Sequence, residues 1–197
     1  MKRLELATVP EKNNRDYFAQ TLDYTHSKKE FVGVAKDYLS HLKIEFYDFI
    51  GLILKHIGFV NPSVSRNGDT NCRMDAIIID DENSIPIEIK SPGESVEINI
   101  KSIRQACENK VVILSRKFYA TNYNTTSLAI AFGYPPERSD VYELINDIKN
   151  AYGFNIGIID INDLLSLVYD VKKAHRQINF EYFNTFYGKF DYDKTLL

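Results

Sequence analysis

Apolar residues recur at three- and four-residue steps from Ile44 to Ile57, with Ile44, Tyr47, Ile50, Leu54 and Ile57 in one stripe. That period predicts an amphipathic helix, and Gly58-Phe59 ends it in the manner of a helix C-terminus. A preceding helix is expected over residues 29–42. Beyond residue 60 the pattern changes. The stretch SVSRNGDTNC, residues 63–72, reads as a loop whose Asn67-Gly68 pair marks a turn. Arg73 to Asp80 is rich in β-branched residues, DENS at 81–84 makes a tight connection, and Ile85 to Ser91 alternates as a second strand. Pro86 in that strand has no N–H to give, so its position must face an unpaired side or a bulge.

Farther along, residues 96–109 suit a helix with Val96, Ile100, Ile103 and Cys107 on its inner face. The continuous apolar run VVILSRK, residues 111–117, reads as a strand buried on both faces, and residues 119–138 as a loop-rich insertion. Ser139 is expected to cap a helix to Tyr152, Phe154–Ile161 to form a strand, and Asn162 to cap a helix to Gln177, with a short aromatic helix in the tail. The alternation predicts an α/β fold, a mixed central sheet flanked by helices. Residues 1–28, polar and weakly periodic, read as an N-terminal arm or linker with a helical turn around Asp16–Leu22, which leaves 29–197 as one domain.

Composition narrows the function classes. The 197 residues can bury a core without staples, and two cysteines, Cys72 and Cys107, make neither a disulfide framework nor a CxxC zinc site. A reducing cytoplasm is the expected compartment. No stretch approaches the ~18 apolar residues of a membrane span, and the N-terminus has no apolar signal core. A net charge of −3 argues against a self-sufficient basic DNA-binding surface. It is compatible with a cluster of carboxylates whose charge a divalent cation balances.

The candidate chemistry lies in the predicted pair of strands. Acid-x-Lys occurs at residues 88–90, 108–110, 147–149 and 170–172, but only the first lies in a predicted strand. There the two-residue period puts Glu88 and Lys90 on one face, while on a helix such residues diverge. Asp75 opens the preceding strand, thirteen residues before Glu88, so a tight reversal brings the carboxylates together. Two carboxylates and waters suit Mg²⁺, with Mn²⁺ expected to substitute. Such a cation polarises a phosphoryl oxygen and lowers the pKa of a bound water, and a lysine ammonium stabilises the charge that develops. Asp75 and Glu88 are the expected ligands, with the Ile89 carbonyl as a further oxygen donor and Lys90 as the catalytic cation.

A helix ending in Ile57-Gly58-Phe59, a Gly-bearing loop, an acid opening a strand, Glu88-Ile89-Lys90 closing the next and a helix after it together resemble the PD-(D/E)xK nuclease superfamily, across roughly residues 44–117. Met74 stands where that family usually has proline. The later FNIGIIDINDLLSLVYDVKKAH, residues 154–175, looks like the end of the cleavage domains of type II and IIS restriction endonucleases of the FokI and AlwI kind. The resemblance implies a restriction-endonuclease-like fold and a Mg²⁺-dependent endonuclease acting on double-stranded DNA. It also implies that a separate recognition domain, a large subunit or a second copy completes the activity. Family members often carry a further acid on the helix before the hairpin, for which Glu45 and Asp48, three apart, are the candidates. Asp69 in the turn is a third. Lys101 and Gln105, sharing a helix face, and Arg73 are candidate phosphate contacts. Two rival readings are a repair or junction-resolving nuclease, which would prefer branched DNA, and a catalytically inactive module that binds DNA or a partner, which would bind no Mg²⁺.

Overall fold

The computed structural model describes residues 14–42, 45–60, 62–65 and 74–197. Three helices come first: α1 (Asn14–Tyr24), α2 (Lys28–Ser40) and α3 (Glu45–Ile57). The Ser27 side chain caps α2 by accepting the Glu30 amide, and α3 buries Phe46, Phe49, Ile50, Ile53, Leu54 and Ile57, a wide apolar stripe. Gly58, at φ 119°, takes the left-handed conformation that ends α3, its N–H donating to the Leu54 and Lys55 carbonyls. The segment expected as an arm forms α1 over residues 14–24, with Tyr17, Phe18 and Leu22 in the core. Residues 1–13 lie outside the described residues.

Six strands follow, β1 (Pro62–Val64), β2 (Ala76–Ile78), β3 (Ile85–Ile89), β4 (Ser127–Ala131), β5 (Ile156–Asp160) and β6 (Gly188–Lys189), and they lie in the sheet in chain order. β1, β2 and β3 are antiparallel; β3 to β6 are parallel. The parallel strands are joined by helices α4 (Ile100–Ser115), α5 (Asp140–Tyr152) and α6 (Ile161–Lys172), the last followed by short α7 (Phe180–Thr185); α8 (Tyr192–Thr195) closes the chain. Ile85, Ile87, Ile89, Leu128, Ile130 and Ile159 face a core built with α1, α2, α3 and α6. Ala129, Ala131, Ile156 and Ile158 face a second core with α4 and α5. The chain is an α/β protein with a mixed sheet between two helical layers. Among the described residues no helix is long and apolar enough to cross a membrane.

Several expected elements are displaced. Residues 111–115 are not a strand but the last turns of α4, which starts at a capping box formed by Asn99 and Ser102. The helix buries Ile103, Ala106, Asn109, Lys110 and Ile113 at three- and four-residue steps and leaves Val111 exposed. Two buried polar residues, Asn109 and Lys110, interrupt the apolar period that would have marked it. Val96, expected on the inner face, lies before the helix and is exposed. The buried strand is instead β4, Ser-Leu-Ala-Ile-Ala, inside the stretch expected as an insertion. The cap of α6 is Asp160, whose Oδ1 accepts the Asp163 amide at 2.9 Å, and not Asn162, which bonds Asp160 Oδ2.

Pro86 finds its place in the sheet by the direction of its missing amide. Alternate residues of a strand turn their N–H groups to opposite neighbours. The Lys90 N–H donates to Ile130 of β4, so Pro86 faces the same way. The β3–β4 ladder begins only at Ile87 and Leu128, beyond Pro86, and no ladder bond is lost.

Candidate metal centre at the end of β3

The paired carboxylates stand where the sheet changes from antiparallel to parallel. β2 starts at Ala76, opposite Ile87, one ladder position short of Ile89. The Ile89 N–H, which turns toward β2, donates instead to Asp75 Oδ2 at 2.8 Å. The main chain of Asp75 accepts the Ser65 amide at 2.8 Å, fixing it to the β1 side as well. A strand residue's carbonyl projects to the same side as its N–H, so the Ile89 carbonyl also points toward Asp75.

Glu88 and Lys90 share the other direction, toward α4, as their two-residue spacing requires. Both are buried, Glu88 at 2 % exposure and Lys90 at 8 %. The Lys90 ammonium donates to Glu88 Oε1 at 2.6 Å, and the Asn109 amide of α4 donates to Oε2 at 3.3 Å. Burial pushes the Glu88 carboxyl up to about 7, and the Asp75 charge adds to this against the pull of Lys90 and Asn109. Burial raises Asp75 too, opposed by the Ile89 N–H and Lys90. Both carboxyls are raised by desolvation and the Asp75 charge further disfavours that of Glu88, a strain that a cation would relieve.

A third acid approaches from the turn after β3. Glu94 Oε2 accepts the Tyr47 hydroxyl at 2.6 Å and the Ser91 N–H and hydroxyl, each at 3.0 Å. Burial works against its charge, but these bonds outweigh it and hold the carboxyl below its ordinary value. Tyr47 is pushed strongly upward, first by burial and then by Glu94, with Asp75 and Glu88 contributing. Tyr47 thus bonds Glu94 and feels the charge of all three carboxylates.

The other candidates are placed as follows. Glu45 and Asp48 are exposed on α3; the Glu45 charge is felt by Tyr38 of α2, and Asp48 lines a depression with Lys55, Pro62 and Val64. The α3 side chain that reaches the turn after β3, where it bonds Glu94, is Tyr47, whose only sequence signal was its place on the apolar stripe. Lys101 is exposed and Gln105 half-buried on α4. The same helix face, one turn farther on, carries Asn109, the residue that touches Glu88. Arg73, Asp69 and Cys72 lie outside the described residues. Glu94 carried no sequence signal beyond lying four residues after Lys90.

The donor set is all oxygen: two carboxylates with a main-chain carbonyl beside them, which fits a hard cation that keeps several waters. Among the described residues no group of three or more His, Cys, Asp or Glu side chains is gathered as a metal cage. Compared with models of protein families, with curated proteins and with solved structures, the chain matches none.

Proposed function

We propose that the chain is a Mg²⁺-dependent DNA endonuclease with a restriction-endonuclease-like fold, acting as the cleavage domain or subunit of a restriction enzyme whose sequence recognition lies elsewhere. The observation that carries the reading is the convergence of Asp75, Glu88 and Lys90 at the C-terminal end of a central strand, with both carboxyls pushed upward. Open α/β sheets bind ligands at the carboxyl ends of their parallel strands, and that is where the trio stands.

Asp75 and Glu88 would hold the cation, with the Ile89 carbonyl as an additional donor. A Mg²⁺ held there would supply Lewis-acid polarisation of the phosphoryl group and a more acidic water near neutral pH. The chain's own residues supply the rest. The Ile89 N–H fixes the Asp75 carboxylate and the Asn109 amide fixes that of Glu88, so neither must reorganise during reaction. The Lys90 ammonium, which rests on Glu88 Oε1, would supply positive charge for the developing phosphate. Gln105 and Lys101, one and two turns before Asn109 on α4, extend the polar line along which a DNA backbone would run. One such site cuts one strand, so double-strand cleavage calls for a second copy or a partner subunit.

Nicking of supercoiled plasmid in Mg²⁺ tests the reading. The wild-type chain, at high concentration or fused to a DNA-binding domain, is expected to nick, and Lys90→Ala to lose nicking while its thermal melt stays cooperative. Full activity in Lys90→Ala would refute the assignment. Preference for branched over plain duplex would move it to a junction-resolving nuclease.

A further inference from the structure

Lys90 and Glu88 have conflicting duties if the site takes a cation. Glu88 Oε1 is occupied by the Lys90 ammonium and Oε2 by Asn109, while Asp75 Oδ2 is occupied by the Ile89 N–H. A divalent ion bound to Asp75 and Glu88 needs an oxygen of Glu88, and its charge repels an ammonium 2.6 Å from that oxygen. Lys90 is buried, so an ammonium driven off Glu88 needs another acceptor at hand. Asp75 is committed to the same cation.

Glu94 meets the need. It stands four residues beyond Lys90 across a tight turn, closed by the Glu94 and Ser95 amides donating to the Ser91 carbonyl at 2.9 and 3.0 Å. Its Oε2 is held three ways by Tyr47 and Ser91, whereas its Oε1 takes no hydrogen bond from the described residues. The carboxylate is thus oriented at one oxygen and open at the other. The Lys90 charge already acts on Asp75, Glu88 and Glu94.

We propose that Glu94 is the second station of the Lys90 ammonium: Lys90 rests on Glu88 Oε1 while the site lacks a cation, and moves to Glu94 Oε1 when Asp75 and Glu88 take one. This rests on the metal-site reading above. It makes Glu94 a positioning residue, acting through Lys90 and not as a ligand. Tyr47 and Ser91 keep the receiving carboxylate still, and the transfer would free Glu88 Oε1 to serve as a ligand.

A double-mutant cycle read by calorimetry tests it, using Ca²⁺ on the full chain so that no turnover intervenes. Glu94→Gln keeps an oxygen acceptor for Tyr47 and Ser91 but receives an ammonium poorly. It is expected to weaken Ca²⁺ binding about fivefold, the scale of an exposed ion pair. Lys90→Met removes the competitor and is expected to bind Ca²⁺ at least as tightly as wild type. In that background Glu94→Gln should change affinity less than twofold. An equal loss in both backgrounds would mean that Glu94 acts on the cation directly, and no loss in either would mean that Lys90 has no use for it; both overturn the proposal while leaving the metal site standing. Absence of Ca²⁺ and Mg²⁺ binding to the wild-type chain would instead overturn the metal site itself.

Discussion

Replacing Glu88 by Gln should make the cation-free protein more stable at alkaline pH, although it removes a buried ion pair. Glu88 is almost wholly buried, and its carboxyl moves from an ordinary 4.5 to about 7 on folding. A rise of that size costs the ionised form about 3 kcal/mol, even with Lys90 and Asn109 in place. The raised value means that the folded state holds its proton where the unfolded state has released it. The group's contribution is therefore fully present below pH 4.5 and is lost as pH rises through 7. Glutamine resembles the protonated acid and offers Lys90 a carbonyl, so Glu88→Gln avoids that loss. In EDTA at pH 8 the variant should exceed wild type by about 1–3 kcal/mol, raising Tm by about 3–10 °C. At pH 5 the two should nearly coincide. Mg²⁺ should reverse the order, because only wild type gains by about 2.7 kcal/mol at a hundredfold excess over Kd. Thermal melts by circular dichroism across pH 5–8, with EDTA or Mg²⁺, read all of this. A variant less stable than wild type at pH 8 in EDTA would refute the reasoning, since the ion pair would then outweigh the burial of its carboxylate.

Lys110 is fully buried, donates to the Asn122 and Thr125 carbonyls at 2.6 and 2.5 Å, and is pushed down to about 8 by burial. A lowered lysine makes the folded state shed its proton first, so wild-type stability should rise as pH climbs from 8 toward 10.5. Lys110→Met should lose that slope and, with two carbonyls unpaired, about 1–3 kcal/mol at pH 7 by urea denaturation. A Cβ at Gly157 of β5 would lie 2.6 Å from the Phe186 ring and 2.8 Å from Thr126 Cγ2. Gly157→Ala should therefore cost about 1–3 kcal/mol by overpacking, and an unchanged melt would show that the Phe186 ring yields freely.

How much of this could be read from the chain depended on whether local pattern or long-range contact decided each element. α3 was plain because its apolar stripe is its own evidence, and α5 because Ser139 caps it and Gly153, at φ 74°, ends it. α4 was cut short because the inner face that would have extended it carries Asn109 and Lys110, polar residues satisfied by Glu88 and by the 122–125 loop, both distant in sequence. β4 was missed because Ser127 and two alanines have little strand character; their small size lets α4 sit close, the Ser127 hydroxyl donating to the Ala106 carbonyl at 2.6 Å. At the site, Asp75, Glu88 and Lys90 were legible from strand period. Tyr47, Asn109 and Glu94 were not, since each joins through a side-chain bond to another element or across a turn.

The acceptor role of Asp75 toward the Ile89 amide separates two pressures on that position. An unpaired amide beside the sheet needs an oxygen whether or not any phosphodiester is cut, so an oxygen-bearing side chain at 75 is part of the architecture. Glu88 answers to no such need: its burial costs stability that a bound cation recovers, and Lys90 is buried as its partner. In a lineage that abandoned cleavage, drift should therefore replace Glu88 and Lys90 with apolar residues first. Position 75 should linger as Asp, Asn or Ser, a relic held in place by the backbone.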